Sequence, residues 1–219
     1  MQYVVVIAQR VCRGRNPARL RQSDYAYRFF AAAMNTDSFL AVLAAHAPID
    51  QEEEDHRSKT VRFVTSHRHS WWTRANLEGH VTGSAWILNL ACTHALMLHH
   101  VKLNRWVQPG GHLDDADGSP AAGAMREALE ETGIAGLNFA SDALFDIDIH
   151  VIPAHASNHG IETAHLHYDA RYRIIAPDTR VTISEESLGA KWIALEDLVK
   201  PSQQRSIARM AEKSLRLKS

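Results

Sequence analysis

The chain of 219 residues is long enough for one domain with a sizeable core and an appendage. Its 45% apolar and 22% charged residues are the usual balance of a soluble globular protein. A formal net charge of −1 excludes a global field that would favour nucleic acid, a membrane surface or an acidic partner.

Two cysteines, Cys12 and Cys92, are too few for a disulfide framework and offer no paired metal-ligand spacing. The opening apolar run, centred on Val4 to Ala8, is too short for a membrane span and lacks the basic-then-apolar order of a secretory signal. No later run approaches about 18 apolar residues, so a cytoplasmic protein is expected. In residues 1–33, Arg10, Arg13, Arg15, Arg19, Arg21 and Arg28 stand against a single acid, Asp24. This segment reads either as a basic arm or targeting peptide, or as a poorly ordered extension preceding a start at Met34. The second reading is the simpler one.

Helical signals begin at Asn35. "NTDSFLAVLAAHAP" offers Thr36, Asp37 and Ser38 as N-caps and stops at Pro48. "DQEEEDHRSKTVRFVTSH" opens with Asp50 and an acidic first turn suited to a helix dipole. Together they predict a helical hairpin over residues 34–69, with the main domain at 70–219. "HSWWTRANLEGH" reads as a connecting loop. "HVTGSAWILNL" and "THALMLHHV" are predicted strands joined by a turn around Ala91 to Thr93, and "RWVQPGG" a brief strand. "ALFDIDIHVIP" and "TAHLHYDARYRII" are two further strands separated by the polar loop "AHASNHGIE". "AKWIAL" closes the strands, and "LEDLVKP" and "SQQRSIARMAEKSLRLKS" are terminal helices. This order predicts an α/β fold of α+β type.

The informative unit is "GGHLDDADGSPAAGAMREALEETGI", residues 110–134. Ser119 is a good N-cap, Pro120 fits the first turn and Gly133 suits a left-handed C-cap. Ala121, Ala122, Ala124, Met125, Ala128 and Leu129 give the helix a small apolar surface for packing on a sheet. Glu127, Glu130 and Glu131 crowd one side at mutually repulsive spacing. A divalent cation would relieve that repulsion, because hard cations prefer carboxylate and carbonyl oxygens. Gly110 and Gly111 permit close backbone approach and leave an accessible carbonyl. Arg126, four residues before Glu130, can partly neutralise that glutamate or hold another carboxylate. A glutamate-rich helix alone is usually a solvated face; the glycine pair, acidic loop and capped helix together argue for a site.

These residues resemble the Nudix box, G-x5-E-x7-R-E-U-x-E-E-x-G-U, with U aliphatic. Gly111 opens it, Arg126 and Glu127 form the central pair, Glu130 and Glu131 follow, and Gly133 and Ile134 close it. Asp117 replaces the first glutamate, eight residues instead of seven precede Arg126, and the U position is the small Ala128. A branch of Nudix hydrolases has this aspartate-plus-insertion form, often within "QPGGH". The resemblance extends over roughly residues 70–200. It implies a Nudix-like α/β/α sandwich with a mixed sheet, and hydrolysis of a nucleoside diphosphate linked to another group. Mg2+, or Mn2+ in its place, would bind Glu127, Glu130, Glu131 and the Gly111 carbonyl, with Arg126 in the catalytic group. Glu127 would be the general base, with Glu185 and Glu186 as alternatives or as an acidic surface turn. The implied partner is a small molecule of nucleoside-diphosphate type, with no membrane and no nucleic acid, and with room for a homodimer.

Further residues are candidates for substrate contact. A strand over "HLHYDAR" places His165, His167, Asp169 and Arg171 on one face and Leu166, Tyr168 and Ala170 on the other. The polar face would contact substrate oxygens, form ordinary surface, or lend His165 and His167 with other histidines to zinc. Oxygen ligands on the helix argue against zinc as the main metal. His112, next to Gly111, could face phosphates, and Trp106 is the best placed of the tryptophans to stack on a base. Cys92 reads as an incidental turn residue. The different-class alternative is a non-catalytic Nudix-like nucleotide sensor, though such domains tend to lose their metal carboxylates. An isoprenoid diphosphate isomerase would need a cysteine near the box, which is lacking here.

Overall fold

The computed structural model describes residues 33–157, 160–200 and 203–217. Nearly all of the expected basic extension therefore lies outside the described residues. The helical hairpin forms as α1, Thr36–Ala45, and α2, Gln51–Ser66. The N-cap of α1 is Asn35, whose side chain accepts from the Ser38 amide at 2.9 Å; Thr36, Asp37 and Ser38 are already helical. Asp50 caps α2 as expected, accepting from the Glu53 amide.

The strands are β1 (Gly79–Asn89), β2 (His94–His100), β3 (Arg105–Val107), β4 (Gly110–His112), β5 (Asn138–Phe139), β6 (Asp146–Ile152), β7 (His155–Ser157), β8 (Gly160–Glu162), β9 (His165–Ala176) and β10 (Ser187–Ala194). "RWVQPGG" is thus two short strands, interrupted at Gln108 and Pro109. The expected polar loop after β6 contains the small antiparallel pair β7–β8, a correction to the sequence reading. The main sheet follows the path β10-β2-β1-β9-β5, with β3 on β2, β4 on β1 and β6 on β9. It is mixed: β1 and β9 pair in parallel from Gly79↔Leu166 to Asn89↔Ala176, while the other pairings are antiparallel.

Alternation along β1 sorts its side chains between two layers. Val81, Ala85 and Ile87 face α3 (Pro120–Thr132), which contributes Ala124, Met125 and Ala128 to the apolar clusters on this side. Phe39, Leu43, Phe63 and Val64 of the hairpin join the same layer, and Phe63 stacks on Tyr168 at 4.1 Å. Trp86 and Leu88 point the other way, towards α4 (Leu195–Leu198) and α5 (Arg205–Arg216), packing with Leu195, Ile207 and Met210. Helices therefore cover both faces of a mixed sheet, the α/β/α sandwich implied by the sequence. Gly83 sets the approach of α3, since a Cβ there would lie 2.7 Å from the Pro120 carbonyl oxygen and 2.9 Å from the Ala124 nitrogen.

The edge strand β6 anchors a buried ionic network. Asp146, fully buried, accepts from Arg209 at 2.8 and 3.0 Å, from Arg171 at 3.3 Å and from Lys213 at 3.0 Å. Arg171 also binds Asp148 at 3.1 Å and Asp169 at 2.7 Å. Lys213 bonds Glu53 of α2, which also meets His46 at 2.7 Å. Burial works against the Glu53 charge, but the bonds from His46 and Lys213 outweigh it and hold its pKa down at about 2. Hairpin, sheet and C-terminal helix are thereby tied through charge as well as apolar contact. Each member depends on its partners, because an isolated buried charge is strongly destabilising. Asp146→Ala is expected to cost about 3–5 kcal/mol in urea unfolding, since three cations lose a shared counter-charge; a loss below about 1 kcal/mol would contradict this role.

Candidate functional site

The site is assembled where α3 meets β4. Local sequence fixes the helix: the Ser119 side chain accepts from the Ala122 amide at 3.2 Å, Pro120 occupies the first turn, and Gly133 closes the helix at φ 61°. Arg126 then reaches back to the acidic loop. Its Nε and Nη2 donate to the two oxygens of Asp117 at 2.9 and 3.0 Å, a two-pronged bond suited to a guanidinium. Its Nη1 donates to Glu127 at 3.0 Å and Glu130 at 3.1 Å, and Nη2 also donates to the His112 carbonyl at 2.9 Å. Asp117, at the first-glutamate position of the motif, thus serves here as the partner of Arg126.

The three helical glutamates have different environments. Glu130 is exposed; Glu127 is half-buried, with its carboxylate against Gly111. A Cβ on Gly111 would lie 2.5 Å from Glu127 Oε1, so only glycine leaves that carboxylate its place. Glu131 is only 7% exposed and accepts from the Gly110 amide at 2.8 Å. It is therefore turned inwards, not displayed on a solvated face, while Leu129, expected to pack on the sheet, is exposed.

Burial raises the pKa of Glu127, with Arg126 opposing. Burial pushes Glu131 up to about 7; the Gly110 N–H opposes, and the charges of Glu127, Glu186 and Glu130 add to the rise. Glu186 is exposed, but its charge acts on both residues, and its segment is pinned to α3 by the bond from the Thr182 amide to the Thr132 carbonyl at 2.8 Å. Glu185 is exposed on the same segment. An all-oxygen donor set, one member of which is held near neutrality by burial and then by its acidic neighbours, suits a hard divalent cation.

The other expected substrate residues lie elsewhere. The Cβ direction of Gly111 faces Glu127, so alternation turns the neighbouring His112 to the opposite side of β4. There it meets His80 and His167, with ring centroids 5.0 and 5.1 Å away. His165 and His167 approach to 3.3 Å between Nε2 atoms. Burial, followed by the neighbouring His80, His112, His150 and His165, lowers the pKa of His167, which keeps the ring neutral. Arg171, expected at the substrate, is 3% exposed and fully engaged by Asp146, Asp148 and Asp169. Trp106 stacks on His99 at 5.0 Å and lies under Lys191 Nζ at 4.7 Å. Cys92 is buried in the β1–β2 turn at φ 52°. His80 had no sequence signal, because the parallel β1–β9 pairing that brings it to His167 spans most of the domain.

A sequence profile of the NUDIX domain matches residues 80–213. The chain belongs to the Nudix family. Among curated proteins no relative matches it. Solved structures with a similar fold include a NUDIX-family hydrolase from Clostridium perfringens, 26% identical, covering 64% of this chain and 98% of that one at a TM-score of 0.46. The dihydroneopterin triphosphate pyrophosphohydrolase of E. coli is 18% identical, covering 61% and 92% at 0.48. The C. elegans Ap4A hydrolase binary complex is 20% identical, covering 61% and 93% at 0.41. Among the described residues no helix is long and apolar enough to cross a membrane.

The inward carboxylate of this Nudix helix has a measurable consequence. A carboxyl with raised pKa stabilises the fold while protonated; its contribution is complete below pH 4.5 and is lost as pH rises through about 7. Glu131→Gln keeps an acceptor for Gly110 without the charge. In chelator at pH 8 this variant is expected to be more stable than wild type by about 2–3 kcal/mol, with the difference vanishing towards pH 4. A variant less stable than wild type at pH 8 would contradict the electrostatic description.

Proposed function

We propose that this Nudix protein is a Mg2+-dependent hydrolase that cleaves a pyrophosphate bond in a nucleoside diphosphate linked to another moiety. The observation that carries the reading is the convergence of Glu127, Glu130 and Glu131 beside Gly110 and Gly111, organised by Arg126. Glu127, Glu130, Glu131 and the Gly111 carbonyl would hold the cation, with Mn2+ as a substitute. When bound, such a cation neutralises the diphosphate and lowers the pKa of a coordinated water.

The chain's own residues supply the rest. Arg126 fixes Glu127 and Glu130 through hydrogen bonds, so that the carboxylates need not reorganise when substrate arrives. Glu131 is oriented by the Gly110 amide, which couples its position to the strand carrying Gly111. For the proton of the attacking water there are two acceptors, Glu127 and Glu186. Glu127, held in place by Arg126, is the general base, and Glu186, exposed beside the cluster, is the alternative. Glu185 stays in reserve on the same segment. A cytoplasmic setting fits the substrate class.

The test is formation of the two phosphate-bearing products, separated by chromatography, from ADP-ribose, dinucleoside polyphosphates, NADH and nucleoside triphosphates with Mg2+. At least one member should be hydrolysed, and Glu130→Gln or Glu131→Gln should reduce turnover on the order of 100-fold with circular dichroism unchanged. Undiminished turnover in both variants would refute the site. Silence across the panel, with tight binding to one member, would replace the enzyme by a nucleotide sensor.

A further inference from the structure

We propose that His80, His112 and His167 form a second metal site, for a borderline transition-metal cation such as Zn2+, across strand β4 from the carboxylates. Three strands converge to build it. In the parallel β1–β9 ladder His80 lies opposite His167, and in the antiparallel β1–β4 ladder Thr82 lies opposite His112. His80 and Thr82 are two residues apart and share a face, so all three imidazoles project to the same side. One ligand nitrogen from each lies within 4.8 Å of the other two. Their ring centroids are 4.7 to 5.1 Å apart, and His80 is 2% exposed.

His165 supplies an independent observation. Its Nδ1 lies 2.8 Å from the Thr163 carbonyl, which can only accept, so Nδ1 carries the proton and Nε2 presents a lone pair. That Nε2 is 3.3 Å from the Nε2 of His167. Two nitrogens bound to one tetrahedral zinc at about 2.0–2.1 Å are themselves about 3.3 Å apart. The carbonyl bond is also the outer-sphere contact that fixes the tautomer and orientation of ligating histidines. His165 stands beside the trio, next to His167 and His80 but outside the set whose ligand atoms all lie within 4.8 Å of one another, so a fourth position open to water or to a small shift of His165 completes the site.

The donor set selects the ion. Imidazole nitrogens favour zinc, nickel, copper or iron, whereas magnesium takes oxygens, so the two sites discriminate by chemistry as well as by face. A cation here would cross-link β1, β4 and β9. It would thereby brace the strand that carries Gly110 and Gly111 into the carboxylate site. This inference does not depend on the hydrolase reading.

The full chain, stripped with chelator, is dialysed against Zn2+ in excess Mg2+ and its zinc content measured. In parallel, Co2+ is titrated and the visible spectrum recorded. One zinc per chain should survive dialysis, and Co2+ should give the intense d–d bands of four-coordinate nitrogen ligation. His112→Ala and His167→Ala, checked for folding by circular dichroism, should each weaken binding on the order of 100-fold; if the second fails to fold, the half-buried His112 position decides alone. Glu131→Gln should retain the zinc. Failure of the wild-type chain to hold zinc, retention unchanged in His112→Ala, or loss in Glu131→Gln would each overturn the site.

Discussion

Arg126 donates five hydrogen bonds at once: two to Asp117, one each to Glu127 and Glu130, and one to the carbonyl of His112. A planar, permanently charged guanidinium is the side chain able to join helix, loop and strand in this way. Burial lowers its pKa less than Asp117 and Glu127 raise it, so the charge is secure. Yet one cation cannot balance Asp117, Glu127, Glu130 and Glu131 together. Glu131 takes its bond from a backbone amide instead and keeps a proton affinity near neutrality. The arrangement is ordered and under-neutralised at the same time, and a divalent cation would complete it.

Strand β4, only three residues long, divides the carboxylates from the histidines. Because side chains alternate, Gly111 opens towards α3 and His112 towards the histidines. The missing Cβ at Gly111 admits the Glu127 carboxylate, and the missing Cβ at Gly83 admits the helix itself. On the other face, the histidines give way to the layer of Asp169, Arg171, Asp146 and Arg209, and then to the apolar cluster beneath α5. Charge buried there holds the hairpin and α5 to the edge of the sheet.

What the sequence revealed was what depends on near neighbours. The caps of α3, the start of α2 and the register of the three glutamates follow from spacing within a turn or two of helix, and the motif that resembles the Nudix box lies in that same stretch. The α1 cap moved by one residue because Asn35, Thr36, Asp37 and Ser38 are all able acceptors, and local preference alone does not rank them. Two-residue β5 and the β7–β8 pair carry too little periodicity to stand out. Arg171 looked like a substrate ligand because alternation marks a polar face without saying what covers it. Its partners Asp146 and Asp148 lie on another strand, 25 and 23 residues earlier, and no local pattern announces them. His80 escaped notice for the same reason, since its partner arrives through a long-range parallel ladder.

The central claim is that the acidic side of α3 grips a divalent ion. Binding of Mn2+, followed by the loss of the free-ion paramagnetic resonance signal, tests it most directly, with wild type compared against the double substitution of Glu127 and Glu131 by Gln. The expected result is saturable binding that excess Mg2+ displaces and that the double variant lacks. Equal binding by both proteins, or none by wild type, would contradict it.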